Sequence, residues 1–206
     1  MTGEKDNTIT VRRKKPEDNE TVMEVILDGF GEKYLAMCGG REEAMRKILS
    51  GELEWRGRDG NMLVAEVGGR VCGVVELLAS GMPGVPDDVI INLRLKHLGI
   101  GLGTRAMYLT SVLGGPSRPG DCMISHLCVS CDTRRRGTGR ALIAGANEVA
   151  AEHGYDRLSL WVDEKNTPAI RLYESEGFEE TEKLKSRTSG RFFGIPVWLK
   201  MCREVP

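Results

Sequence analysis

The sequence predicts an α/β fold of the mixed α+β kind, a sheet flanked by helices, and three observations carry that expectation. Two apolar segments, Asn61 to Val67 and Val71 to Leu78, flank Gly68-Gly69, a pair suited to a tight hairpin, so they form an antiparallel pair. From Cys122 the pattern turns regular: a strand ending at Val129, a Gly-containing loop, a helix, the strand Leu158 to Val162, another helix and two further strands. Leu142, Ala146, Val149 and Ala150 recur at helical spacing, which gives the first of those helices one apolar face for a sheet.

The remaining elements follow in order. Ile9-Thr10-Val11-Arg12 alternates like a short strand, and Pro16-Glu17-Asp18 starts a helix carrying Val22, Val25, Ile26 and Phe30. Arg41 to Leu49 reads as a second short helix. The stretch 80–120 is bounded by glycines and prolines and reads as an insertion whose Leu98, Leu102, Ala106, Leu109 and Leu113 form an amphipathic stripe. A lid over a cleft is the first expectation for it, because long insertions in compact domains are often lids or binding loops; a homodimer contact and core packing stay open beside it. Gly154 ends the helix after the Gly-containing loop, Thr167 caps the next with Pro168 at its first position, and Gly177 ends that one. The final strands, around Phe178 to Ser186 and Phe192 to Met201, straddle Ser189-Gly190 as a hairpin. A single domain over residues 1–206 is expected.

Composition excludes more than it assigns. A net charge of −1 and a pI near 6.3 exert no global pull on nucleic acid or membrane, so recognition of anions must come from local clusters. Two exist: Arg12-Arg13-Lys14-Lys15, read as a solvated strand end, and Arg134-Arg135-Arg136. No apolar run approaches the roughly 20 residues of a membrane helix. Six cysteines without a dense framework or apolar leader point to a reducing, cytoplasmic compartment. Cys128-Val129-Ser130-Cys131 has CxxC spacing, yet neither a second pair nor nearby histidines complete a metal site, so no metal is expected.

The chemistry concentrates after the strand ending at Val129. A turn containing Arg134-x-x-Gly137-x-Gly139 before a helix is an anion site by geometry, because unpaired N–H groups of a first helical turn point at whatever lies ahead of it. Gly137 and Gly139 remove side chains that would block close approach, while Arg134, Arg135, Arg136 and Arg140 supply fork-shaped donors or are simply solvated. A dinucleotide loop would need a third glycine, which Gly137-x-Gly139-x-x-Leu142 lacks, and Asp163 is a weak ribose partner. Gly99-Ile100-Gly101-Leu102-Gly103 has no clear strand leading into it and reads as a flexible helix start.

At this point the segment from Ile124 to Thr181 resembles the GNAT superfamily of acetyltransferases. Val129 with Arg134-x-x-Gly137-x-Gly139 resembles its acyl-CoA pyrophosphate motif, and Leu158-x-Leu160-x-Val162 its following strand. Asn166-x-x-Ala169-x-x-Leu172-Tyr173-Glu174-x-x-Gly177-Phe178 resembles its last conserved helix. The resemblance implies a mostly antiparallel sheet splayed between those two strands, with acetyl-CoA as co-substrate. It implies pantetheine along the backbone of Leu127, Cys128 and Val129, phosphates over the loop from Arg134 through Thr138 to Arg140, and Asn166, Ala169 and Tyr173 beside the cofactor.

The implied reaction is direct transfer of acetyl from the thioester to a primary amine of a small molecule or peptide. Tyr173 matches a tyrosine that serves many members as general acid; its alternative role is packing. The base is less defined, since Met123 stands where some members carry glutamate and Trp161 near where others carry an acid or histidine. His126 is of the residue type suited to moving protons near neutral pH but alternates onto the face opposite Leu127 and Val129, so a core or solvated histidine is the competing reading. Glu76, inside Val74-Val75-Glu76-Leu77-Leu78, needs water or a partner and is a second candidate; a water chain is a third route. An acyl-CoA-binding regulatory module without turnover is the alternative function. The segment Arg187 to Phe193 lacks the adjacent tyrosines often found there in N-terminal acetyltransferases of the superfamily, although Phe192-Phe193 could wall a peptide groove.

Overall fold

In the computed structural model the described residues are 8–58, 60–82, 84–112 and 120–206. Seven strands form one open sheet in the order β1-β2-β3-β4-β5-β7-β6. They are β1 Ile9–Arg13, β2 Met62–Val67, β3 Arg70–Ala79, β4 Asp121–Val129, β5 Arg157–Asp163, β6 Glu179–Lys185 and β7 Val197–Glu204. Every neighbouring pair is antiparallel except β4 with β5. The helices are α1 Asn19–Met37, α2 Glu42–Leu53, α3 Asp87–Val112, α4 Thr138–Glu152, α5 Thr167–Ser175 and α6 Arg187–Phe193. The expected mixed, mostly antiparallel sheet flanked by helices is the fold observed.

Two helical layers bury the two faces. On one, Leu142, Ile143, Ala146 and Ala150 of α4 pack on Leu63, Val75, Leu77, Leu158 and Leu160. On the other, Val22, Val25 and Ile26 of α1 and Leu49 and Leu53 of α2 cover Met62, Val64, Val74 and Cys128. β6 forms one edge; its residues are exposed, and the charged run Glu179-Glu180-Thr181-Glu182-Lys183 discourages pairing with another chain.

The structure adjusts several local expectations. α2 continues beyond Leu49 because Glu52 and Leu53 are buried, and Gly51 leaves room for Leu93 of α3. The cap of α5 is Asn166 rather than Thr167, since its side chain accepts from the Ala169 N–H at 3.3 Å. The turn expected at Ser189-Gly190 is the short helix α6, capped by Ser186 and tied to β7 by Trp198 Nε1 donating to Ser189 Oγ at 2.8 Å. The basic run is only partly a solvated strand end: Arg13 is exposed and meets Glu152 at the surface, but Arg12 bridges Asp18 and Glu66, and Lys14 donates to the carbonyls of Leu53 and Arg56.

The insertion stripe is used inside the fold. Leu98 and Ala106 are buried among Cys38, Met45 and Ile48, with Leu102 packed against that cluster, and Leu109 is fully buried. Leu113 lies outside the described residues. The helix breaks at Gly99, whose backbone is non-helical. Core packing therefore accounts for the stripe, and the first part of α3, with Val85 before it, walls a cavity described below.

Candidate active site

β4 is bonded to β3 along its length, from Ala79↔Cys122 to Gly73↔Val129. Its parallel ladder with β5 covers only Asp121↔Arg157 to Ile124↔Leu160, while β5 continues on β7 to Asp163↔Trp198. The two strands part after Ile124, and among the described residues no strand covers the β5-facing edge of Leu127, Cys128 and Val129. Buried backbone groups require partners, so an edge opened inside a sheet is a place for an extended ligand.

Beyond β4 the chain makes a 3-10 turn at Cys131–Thr133, then enters α4. Gly137 caps α4 at φ 91°, a conformation that disfavours any side chain. The first helical bond runs from Ala141 N to Gly137 O at 3.0 Å, so the N–H groups of Thr138, Gly139 and Arg140 precede the ladder. A Cβ at Gly139 would sit 2.9 Å from Leu172, so its absence also lets α5 pack on α4. Thr138 is buried, its hydroxyl 3.4 Å from the Thr133 carbonyl.

The arginines divide into two groups. Arg135 and Arg136 are exposed. Arg134 donates to the Val129 carbonyl and to Asp28 at 3.0 Å, and Arg140 pairs with Glu176 at 2.6 Å. Asp28 of α1 also accepts from the Cys131 N–H at 2.9 Å, which ties the loop to α1. Sequence reasoning missed this tie, because Asp28 lies far from the loop along the chain.

Asn166 is occupied as the cap of α5, with Ala169 in its first turn. Tyr173 lies on the same helix, buried beside Phe178, and burial with the nearby Cys128 thiol pushes its hydroxyl up to about 12. Such a hydroxyl stays protonated at neutral pH and can donate. Cys128 is itself buried and pushed up to about 12 by burial, whereas Cys131 is exposed. Among the described residues no group of three or more His, Cys, Asp or Glu side chains is placed to hold a metal.

On the α1 side a cavity of about 370 Å³ reaches the point where β4 and β5 part, at Ile124, Ser125 and Trp161. Phe30, Tyr34 and Met37 of α1, Leu78, Ile90 and Trp198 give it an apolar wall. His126 and Glu76 are directly opposite across β4 and β3, next to an irregularity in register at Glu76/Leu77. Both line the cavity, so the expected alternation holds and the face opposite Leu127 and Val129 is the functional-looking one.

The polar groups there form one chain. Glu76 Oε2 meets His126 Nδ1 at 2.8 Å, accepts from Ser125 Oγ at 2.8 Å and pairs with Arg56 at 3.2 Å. Arg56 also holds Glu52 at 2.6 Å, and Arg94 approaches Glu52 from α3 at 3.4 Å. A carboxylate against Nδ1 makes that nitrogen the protonated one, leaving Nε2 to accept from the Tyr34 hydroxyl at 2.9 Å. Burial alone would raise the Glu76 pKa, but Arg56, His126 and Ser125 together bring it down to about 2. A carboxylate that acidic is a weak proton acceptor, and its geometry suits orienting His126. Burial pushes Tyr34 up to about 12. Tyr34, Arg56, Ser125 and Lys33 escaped the sequence reading; the spacing of Phe30, Tyr34 and Met37 is a helical signal, but it also fits plain core.

The comparisons with known proteins agree with this arrangement. The model of the acetyltransferase (GNAT) family matches residues 30–178, and the chain belongs to that family. An uncharacterized N-acetyltransferase of Methanocaldococcus jannaschii is 37% identical over 82 residues, 40% of this chain and 31% of that protein. Mycothiol acetyltransferase of Thermobispora bispora is 48% identical over 52 residues, 24% of this chain and 18% of that protein. These matches thus span less than a third of either relative's length. Ribosomal-protein-alanine N-acetyltransferase from Brucella melitensis superposes with a TM-score of 0.62 at 23% identity, over 95% of this chain and 99% of that one. PaiA N-acetyltransferase from Thermoplasma acidophilum, solved with coenzyme A, gives 0.57 at 15% identity, over 96% and 99%. At such identities the likeness is one of fold. No described helix is long and apolar enough to cross a membrane.

The low pKa of Glu76 makes acid stability a readout of this network. A carboxylate depressed in the folded state stabilises fully above its ordinary value of 4.5 and loses that contribution as pH falls toward about 2. Denaturant titrations of Glu76→Gln between pH 4.5 and 2 are expected to show a shallower fall in stability than wild type. Equal slopes would remove Glu76 from the native ion network.

Proposed function

We propose that this chain is an acetyl-CoA-dependent N-acetyltransferase that passes acetyl to a primary amine of a small molecule or peptide by direct attack. The observation that carries the reading is the parting of β4 from β5 between a helix-capping anion loop and a cavity holding an oriented histidine. The residues present fit the cofactor: N–H groups lie ahead of the α4 ladder, Gly137 lacks a Cβ, and Leu127, Cys128 and Val129 offer an open strand edge. Arg135 and Arg136, exposed on the loop, are assigned to phosphate oxygens, and Arg134 and Arg140 brace the loop through Asp28 and Glu176. The cofactor supplies an activated thioester; the chain supplies orientation and protons.

His126, aligned by Glu76, takes the amine proton at Nε2 through the Tyr34 hydroxyl it already holds. Tyr173 donates a proton to the departing sulfur. Glu76 is assigned as the positioning carboxylate rather than the base. The strands from β1 to β7 are assigned to one domain with 80–120 inserted. The cysteines are free, most of them buried, which supports a reducing, cytoplasmic setting.

Gly137→Glu is expected to abolish acetyl-CoA binding measured by calorimetry, through steric block and charge repulsion; binding as tight as wild type would sink the phosphate assignment. In steady-state kinetics with an amine panel, His126→Gln is expected to lower kcat by about 10²–10⁴-fold. Tyr173→Phe is expected to lower kcat more than it raises the cofactor KM. Unchanged turnover across pH in both variants would return these residues to packing, and thiol release that no amine accelerates would favour a regulatory module.

A further inference from the structure

The cavity's charged side chains are not equivalent. Arg56 and Arg94 are spent on Glu52 and Glu76, and those two carboxylates are spent in turn on the guanidiniums. Lys33 is different. Its Nζ sits 4.6 Å from the Phe30 ring centroid and 4.9 Å from that of Trp198, and all three residues line the cavity. Among the described residues no carboxylate lies within ion-pair reach of it; Asp163 acts on it from farther away, across an adjoining pocket that Lys33 and Phe30 also line. The ammonium is half-buried, and burial lowers its pKa. An ammonium held between two aromatic faces, with its hydration reduced, gains from an anion that arrives with the ligand.

We propose that Lys33 reads a carboxylate on the acceptor, so that the preferred amine is a small amino carboxylate with an apolar or aromatic body. The inference rests on the acetyl-transfer reading above and narrows its substrate class. Phe30, Met37, Leu78, Ile90, Trp161 and Trp198 supply the surface for the body. The amine end belongs near His126, beside the parting of β4 and β5. With Glu52 and Glu76 engaged by Arg56, the described residues that line the cavity offer no spare anion for the second charge of a polyamine. Its volume of about 370 Å³ falls at the small-ligand end of the roughly 300–1,000 Å³ usual for ligand pockets.

The test compares phenylalanine with phenethylamine, its analogue lacking the carboxylate, and adds spermidine and a peptide beginning with phenylalanine. Wild type is expected to show kcat/KM for phenylalanine at least about tenfold above phenethylamine, the order expected of one charge-assisted hydrogen bond. Lys33→Met should collapse that ratio toward unity through KM, and Lys33→Arg should restore much of it. A ratio near unity in wild type, or preference for spermidine or the peptide, would overturn the proposal. Calorimetry of phenylalanine with CoA-saturated protein separates the two readings. Carboxylate-dependent binding that Lys33→Met weakens, without acetylation, would sink the transfer reading and leave Lys33 as a carboxylate-binding site. Turnover of other amines with binding indifferent to Lys33 would do the reverse.

Discussion

The arrangement depends on two strands that start as neighbours and are pulled apart by their other partners. β4 stays on β3 as far as Val129 and β5 stays on β7 as far as Asp163, so their shared parallel ladder ends at Ile124↔Leu160. Each outer pairing is a run of antiparallel hydrogen bonds, and the two runs hold β4 and β5 on diverging courses beyond that pair. The edge beyond that pair is thereby left without a strand partner. The α4 N-terminus lies just beyond the end of β4, and α5 follows β5 directly, so both helices are delivered to the gap by the strands that create it.

The charged network on the α1 side is a question of orientation more than of stability. Removing ion pairs from water costs several kcal/mol per ion, and good geometry roughly recovers it, so the Glu52–Arg56–Glu76 chain is weak evidence of net stabilisation. Its consequence is an acidic carboxylate held against His126 Nδ1, which fixes the tautomer and aims Nε2 at Tyr34. α1 connects the two halves of the site. Asp28 grips the loop before α4, while Phe30, half a turn further on, and Lys33 and Tyr34, about one turn and a half further on, face the cavity.

What the sequence made legible was local. Gly68-Gly69 between alternating segments reads as a hairpin because both residues must adopt positive φ, and they do. The Gly137 turn reads for the same reason, and the face of α4 reads from its period. Asn166 was recognised within a motif, but its cap role surfaced only in the geometry. What the sequence leaves out rests on contacts distant along the chain. Arg134 and Arg140 read as anion donors, and their pairing with Asp28 and Glu176 has no sequence signal. The stripe of α3 was expected over a cleft, yet Cys38, Met45 and Ile48 bury it. Lys33 and Arg56 carry no motif, since their importance lies in which rings and carboxylates the fold brings to them.

Amide hydrogen exchange with and without acetyl-CoA addresses the opened strand edge most directly. The account predicts new protection confined to two places, 125–129 on the uncovered edge of β4 and 137–140 at the start of α4. Binding that left both segments exchanging as in the free protein, with protection elsewhere, would contradict it.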